Sequence, residues 1–388
     1  MTKKDGMKVG IAGAGSVAFA TAAILCDSGF AAMLWSPSGE RTRALAGGAG
    51  LVATGAVEGT FKPEVADSAK ALVDQCDVVM VVVPGYGHKT VMDAIAPHIR
   101  PGQPVIISSH ASLGALYLSD LLARRGVVTP IVAWGTTIAT GRQQPDLTHV
   151  KVNTIRESVD ICTVPDHLTA DGLAVCQRLF GDRFRVRDGL LAISLSNLNP
   201  QSHMAIALGN MTRMERGEAW SQGQNVTPKI GRLIEALDEE RLAITKAFGL
   251  SVRTIFDHFH LSYHVPVASV SQMNQQMHGL GIGGTGPTTA DSRYVTEDVP
   301  YGLVFTAKLG EMAGHPAKLH QAGVDIFSAM YGRDFRSENT LLGAIGLDAM
   351  TLDQLQEAIR SGVLPDDPAR TGSGGSRVSG PSNQPAEN

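Results

Sequence analysis

Nine residues near the start of the chain, Gly10-Ile11-Ala12-Gly13-Ala14-Gly15-Ser16-Val17-Ala18, limit the fold more than any other segment. They overlap a short strand-like run, Lys8–Ala12, and open onto a helical stretch, Val17–Asp27, with small residues at 13, 15 and 18 in the spacing Gly-x-Gly-x-x-Ala. In that setting one glycine makes a tight turn, the next leaves the backbone bare, and a small third residue lets helix and strand pack closely. The unpaired amides at the helix start favour phosphate. A glycine turn serving packing alone is the alternative, and the strand-loop-helix context weighs against it. The spacing therefore predicts a dinucleotide site built from Gly10, Gly13, Ala14, Gly15, Ser16, Val17 and Ala18.

The segments that follow keep this alternation. Short apolar runs at Ala31–Trp35, Asp77–Val83, Val105–Ser108 and Pro130–Ala133 are separated by helical stretches at Ser68–Gln75, Lys89–Ile99 and Leu113–Arg125. Strands alternating with helices give a parallel sheet, and the unbroken valine run within 77–83 suits a central strand buried on both faces. From about Asp188-Gly189 the texture changes to long segments rich in Leu, Ala, Met and Glu, of which Ile230–Phe248 is the most periodic. The fold class expected is α/β: an N-terminal Rossmann-type doubly wound parallel sheet over 1–188, then a mainly α-helical domain over 189–362. A loop at 279–287 is too glycine-dense for a regular element. The Gly, Ser, Pro and Asn of 363–388 offer little to bury, so a disordered tail is expected.

Composition removes several function classes. With 388 residues, 43% of them apolar, and a formal net charge of −4, the chain can build two cored domains and carries no basic field for nucleic acid. Cys26, Cys76, Cys162 and Cys176 stand far apart, without metal-ligand spacing, as suits reduced thiols and a cytoplasmic protein. No metal site and no membrane span is expected. The charged beginning, Met1 to Gly6, leads into the glycine loop and reads as strand plus loop rather than a signal peptide. The apolar faces of a helical domain can be buried within one subunit or against a second copy, which leaves a homodimer open.

The second strand ends in Ser36-Pro37-Ser38, where NAD-specific folds place an acid for the ribose hydroxyls. Arg41 and Arg43 follow. An arginine beside small hydroxyl side chains suits a 2′-phosphate, so Ser36 and Arg41 point to NADP(H) over NAD(H), with Glu40 as the counter-argument. Val83-Pro84-Gly85-Tyr86-Gly87-His88, after the central strand, places Pro84 at the nucleotide face or in an ordinary turn, and no chemical role is assigned to His88.

Context selects among twelve histidines. In Asn199-Pro200-Gln201-Ser202-His203, Asn suits a helix N-cap, Pro the first helical position, and His203 follows one turn in. The positive end of a helix keeps such an imidazole neutral and able to accept a proton, although a capping or core histidine reads the same way. Downstream, Arg293-Tyr294-Val295-Thr296-Glu297-Asp298-Val299-Pro300-Tyr301-Gly302-Leu303 brings a guanidinium close to carboxylates. That pattern serves either a substrate-carboxylate clamp with an acid to orient a histidine, or a surface ion pair and a helix start.

Asn199-Pro200-x-x-His203 together with Arg293-Tyr294-x-x-Glu297-Asp298-Val299-Pro300-Tyr301-Gly302-Leu303, behind the N-terminal Gly-x-Gly-x-x-Ala, resembles the octopine/nopaline (opine) dehydrogenase family over about residues 7–345. The resemblance implies a Rossmann domain followed by a helical domain, and an NAD(P)H-dependent reductive condensation of an amino acid with a 2-oxo acid, such as pyruvate, to a secondary-amine dicarboxylate. It implies His203 as catalytic acid/base, Asp298 as its dyad partner, and Arg293 as the holder of the oxo-acid carboxylate. Thr136, Thr137 and Met204 are candidates for the amino-acid pocket, and each reads equally well as packing or turn. Two other readings stand beside this one. A hydroxy-acid or polyol-phosphate dehydrogenase of the ketopantoate reductase or glycerol-3-phosphate dehydrogenase type would use a lysine such as Lys229 or Lys246. A non-catalytic nucleotide sensor would need none of the three site residues.

Overall fold

Strands rich in β-branched residues and buried on both faces form the centre of the first domain in the computed structural model, which describes residues 6–365. The strands are β1 (Lys8–Ala12), β2 (Ala31–Trp35), β3 (Leu51–Gly55), β4 (Gly59–Phe61), β5 (Glu64–Val65), β6 (Val78–Val81), β7 (Val105–Ile107), β8 (Ile131–Trp134), β9 (Ala139–Gln143), β10 (His149–Ile155), β11 (Val159–Val164) and β12 (Phe184–Val186). Eight of them make one sheet in the order β12-β11-β8-β7-β6-β1-β2-β5. From β5 to β8 every pairing is parallel, and only β11 runs antiparallel to its neighbour β8. The winding reverses between β1 and β6, and a doubly wound sheet binds its ligand in the crevice above that point. Val78 to Val81 sit there, fully buried, as the valine run predicts.

A second, four-stranded sheet, β4-β3-β10-β9, was not expected from the sequence. Its strands alternate buried and exposed residues and carry threonine, lysine and asparagine, so they lack the continuous apolar run of the central strands. The helix Ser16–Asp27 explains why it is needed. Ala18 to Leu25 are all buried, so this helix is apolar around its whole circumference and requires cover on both sides. The main sheet supplies one side. The small sheet supplies the other, and Gly141 of β9 approaches so closely that a Cβ there would stand 3.1 Å from that of Ala20.

Beyond β12 the chain is helical, with long helices at Asn199–Glu215, Pro228–Ala247, Val270–Gly279 and Lys318–Tyr331 around a core that includes Met204, Leu237, Met273, Phe327 and Phe335. A five-residue π turn, Val299–Leu303, interrupts them. No helix among the described residues is long and apolar enough to cross a membrane. After the last long helix the chain returns to the first domain. Leu341, Ile345, Leu355 and Ile359, expected within the helical domain, share a core with Ile107, Leu116 and Leu118. The expectation of a disordered tail from 363 holds its first residues wrongly, because Leu364 is buried and its amide donates to Asp120 Oδ1 at 3.1 Å. From residue 366 the tail lies outside the described residues.

A buried polar cluster joins the two halves. The Asn339 amide donates to Ser112 Oγ (2.9 Å) and to the Pro300 carbonyl (2.8 Å), and Ser112 Oγ donates to the Tyr301 carbonyl (2.8 Å). A π turn changes which carbonyls find a helical partner. Here side chains from outside the turn satisfy two of them. Asn339→Ala leaves buried acceptors without donors, and a loss of about 2 kcal/mol is expected. The check is thermal or urea unfolding of Asn339→Ala, Ser112→Ala and the double variant, whose combined effect should fall short of the sum because both side chains serve one network.

Candidate active site

The helix Asn199–Glu215 starts one residue earlier than the sequence suggested: Leu198 takes the cap position and Asn199 is already helical, its amide donating to Asn197 Oδ1 at 3.1 Å. Pro200 stands in the first turn as expected. Gln201 on the next position meets His320 Nε2 (3.0 Å), whose Nδ1 meets Glu240 Oε2 (2.8 Å), so the start of this helix is tied into the helical core. His203 follows. The π turn reaches it because Gly302 has no side chain, since a Cβ there would lie 2.2 Å from the Pro200 ring.

That approach places Asp298 Oδ2 at 2.7 Å from His203 Nδ1. Asp298 is 5% exposed and the His203 side chain 13%, so the pair is shielded but reachable. An ionised carboxylate only accepts, so Nδ1 carries the hydrogen, and in the neutral ring Nε2 is left to present the lone pair. Tyr294 lies flat on the imidazole, with ring centroids 3.6 Å apart and planes at 8°. Its hydroxyl donates to Gln222 Oε1, and burial pushes its pKa up to about 12. Tyr294 therefore stays neutral and holds the imidazole plane.

Arg293 begins the short helix Arg293–Thr296, and its Nε lies 3.5 Å from Glu297 Oε2. More than half of the Arg293 side chain, 57%, is exposed. Desolvation opposes its charge, but Glu297 and Asp298 outweigh this and raise the guanidinium pKa. Burial raises the Glu297 carboxyl, against the pull of Arg293. Glu297 Oε1 also accepts the Gly85 amide at 3.1 Å, which ties the motif to the nucleotide face. The segment read as a loop there is the start of the helix Gly85–Ile95, with Pro84 as its N-cap. His88 is fully buried and bonded through Nε2 to the Val83 carbonyl, and burial lowers its pKa to about 4.

The glycine loop fits a dinucleotide. Gly13 has φ +157°, and a Cβ on it would stand 2.0 Å from the Val82 carbonyl oxygen, so the turn after β1, where it passes the end of β6, has room for glycine alone. A Cβ on Gly15 would project into open space, and the helix behind it has no side-chain cap, which leaves its first amides free. Ala18 is buried where helix meets sheet, Ala14 and Val17 flank the turn, and Ser16 Oγ accepts the Gln143 amide at 3.0 Å. Gly10 requires correction. It lies inside β1, and its Cβ position faces Cys76 and Leu72 at 3.1 Å, so it serves strand-helix packing rather than phosphate. At the second-strand end, Ser36 Oγ is buried without a partner, and the exposed Arg41 donates to Gln143 Oε1 at 3.4 Å.

Two cavities are each lined by a residue in contact with His203. Asp298 lines one, with Arg293, Glu297, Asn197, Asn199 and His110. Tyr294 lines the other, a cleft of about 470 Å³, with Arg142, Trp220 and Pro287. Two substrate expectations are not met: Met204 is a core residue whose thioether fills the space beside Gly323, and Thr136, half-buried after β8, lines neither cavity. Thr137 Oγ1 donates to the Ala139 carbonyl as a turn residue. Sequence reasoning missed His110 and Arg142. His110 is buried, with neither ring nitrogen partnered, and burial lowers its pKa to about 3. Among twelve histidines nothing local distinguished it, and Arg142 lies on a strand that was not foreseen. Lys229 and Lys246, the lysines of the rival reading, are exposed on the helix Pro228–Ala247 and line neither cavity.

Comparison with known proteins agrees with this layout. Residues 186–331 match the family described as NAD/NADP octopine/nopaline dehydrogenase, alpha-helical domain, and residues 9–136 match ketopantoate reductase PanE/ApbA. An opine dehydrogenase of Arthrobacter sp. (strain 1C) is 30% identical over 90% of this chain and 98% of its own. Octopine dehydrogenase solved with NADH and L-arginine superposes with a TM-score of 0.77 at 17% identity, over 93% of this chain and 99% of its own, and the same enzyme with NADH and pyruvate gives 0.75. Yersinopine dehydrogenase with NADP+ bound gives 0.64 at 15% identity over 92% and 98%. A nucleotide fold of this winding, a helical domain of this type and an end-to-end relative at that identity place the chain in the opine dehydrogenase family, whose members are NAD(P)-dependent oxidoreductases.

Proposed function

We propose that the protein condenses an amino acid with a 2-oxo acid to a secondary-amine dicarboxylate, and runs the reverse reaction, with NADP(H) preferred over NAD(H).

 The observation that carries this reading is the His203–Asp298 pair: Asp298 lines a cavity that holds Arg293, and Tyr294, stacked on His203, lines a second cleft, which gives two substrates places on either side of one acid/base group. Arg293, with a half-exposed guanidinium beside the dyad, is the fork for the oxo-acid carboxylate, and pyruvate, the ligand of solved octopine dehydrogenase, is the oxo acid proposed. His110 faces the same cavity with unpartnered nitrogens and a neutral ring, able to donate a hydrogen bond to the oxo acid.

The chemistry asks for one proton at one place. Neutral His203 Nε2 takes a proton from the substrate ammonium; the freed amine attacks the oxo carbon to give a carbinolamine, and the hydroxyl leaves as water with the proton that Nε2 returns, leaving an iminium C=N bond. Asp298 accepts from Nδ1 throughout, which holds the ring orientation and stabilises the imidazolium before the proton is given up. In the opposite direction loss of hydride leaves the same iminium, and the neutral Nε2 takes a proton from the water that adds to it. The nicotinamide, when bound, supplies the hydride for the imine carbon. The glycine loop and the free amides of the helix Ser16–Asp27 would hold its phosphates, with Ser36 and Arg41 placed for a 2′-phosphate.

Two measurements test this. Asp298→Asn keeps the shape but removes the acceptor that selects the tautomer, so kcat should fall by about 10³-fold or more while NADPH affinity stays as in the wild type. His203→Ala with undiminished turnover would end the acid/base assignment. Arg41→Ala should raise the KM for NADPH by about tenfold, equivalent to one charge-assisted contact, and leave the KM for NADH unchanged. Equal use of both cofactors by the wild type would remove the NADP(H) preference.

A further inference from the structure

The cleft of about 470 Å³ has walls from both domains, and their chemistry is one-sided. On the nucleotide side, Gly141 of β9 faces the helix Ser16–Asp27, so Arg142, the next residue in the strand, points to the opposite face and into the cleft. No carboxylate among the described residues pairs with Arg142. On the helical side, Gly286 lies flat against the Trp220 indole, where a Cβ would stand 2.2 Å from the ring. The indole Nε1 donates to the Pro287 carbonyl at 2.9 Å, so the one polar atom of that side chain is already engaged. Tyr294, whose hydroxyl is held by Gln222, closes the end next to His203.

No aspartate or glutamate lines this space. Of the acids beside the lining residues in sequence, Glu218 pairs with Arg213 at 3.0 Å, and Asp291 is exposed and does not line the cleft. The cleft therefore offers one unpaired cation, a fixed aromatic wall and no anion. An ammonium or guanidinium side chain would lose hydration there without a counter-charge, and a dicarboxylic amino acid would leave one of its carboxylates unpaired.

We propose that this cleft is the amino-acid site, with the substrate α-carboxylate on Arg142 and its side chain on Trp220 and Pro287, and that the protein selects neutral, apolar amino acids over basic and acidic ones. The inference rests on the condensation reading for the use made of the bound amino acid, but the binding preference can be measured apart from it. Tyr294, whose ring lies on His203, lines the same cleft as Arg142.

The test has a turnover arm and a binding arm. Oxidation of NADPH in the presence of pyruvate is followed with leucine, methionine, phenylalanine, arginine, lysine, aspartate and glutamate, for the wild type and for Arg142→Ala and Arg142→Gln. Calorimetry with enzyme and NADPH but no oxo acid measures binding of the same amino acids. The apolar set should exceed arginine and glutamate in kcat/KM by about 30-fold or more, and both Arg142 variants should weaken amino-acid binding by about tenfold or more without changing NADPH affinity. Preference for arginine or lysine, or a flat profile, overturns the proposal. So does a loss of NADPH affinity in the Arg142 variants with amino-acid binding intact, which would give Arg142 to the cofactor phosphates. Apolar amino acids that bind selectively but are never condensed would leave this assignment standing and defeat the reaction proposed above. Absence of binding by any of them defeats the assignment itself.

Discussion

The contact between Gly302 and Pro200 is the constraint on which the site depends. Asp298 and His203 are 95 residues apart in the chain, and a carboxylate-imidazole hydrogen bond of 2.7 Å requires the π turn and the histidine helix to come within reach of these two side chains. Hydrogen alone at Gly302 lets the π turn rest on the proline ring that opens the histidine helix. The turn in turn needs outside help, because its altered hydrogen-bond pattern leaves carbonyls to be satisfied. Asn339 and Ser112 provide it from two directions, one from the returning C-terminal segment and one from the loop after β7. The dyad, the domain junction and the return of the chain onto the first domain are therefore parts of one packing solution.

The same economy appears at the nucleotide face. Gly13 is squeezed between β1 and β6 because the loop must turn where the two halves of the sheet separate. Gly85, at the carboxyl end of β6, gives its amide to Glu297 of the helical domain. A carboxylate from one domain thus replaces a side-chain cap at the start of a helix in the other. Arg293 shares that carboxylate, which links the orientation of the proposed substrate clamp to the position of the nucleotide loop.

Legibility in the sequence followed local pattern. β1 and β2 were read to the residue, and β6, β7 and β8 nearly so, because strands buried on both faces show themselves as unbroken apolar runs. β3, β4, β9 and β10 alternate polar and apolar residues in short stretches, and their pairing joins segments about a hundred residues apart. No local signal marks such a sheet. Helix-start chemistry and a long motif singled out His203, Arg293 and Asp298, which the structure brings together, whereas Met204 and Gly10 turn away from the site, because adjacency in sequence does not say which way a side chain points. Met204 is next to His203 in sequence and faces the opposite way, into the core.

The sequence alone determined the class of the fold, the presence of a dinucleotide loop and the identity of the residues that stand at the dyad, since each depends on short-range periodicity, on the backbone freedom of glycine or on a contiguous motif. The tertiary structure alone decided that Asp298 meets Nδ1 rather than Nε2, that Tyr294 covers the ring, and that Arg142 faces Trp220 across an acid-free cleft. Those are meetings of residues far apart in the chain. Their geometry is set by which faces must be buried together, and that is a property of the packed whole rather than of any segment.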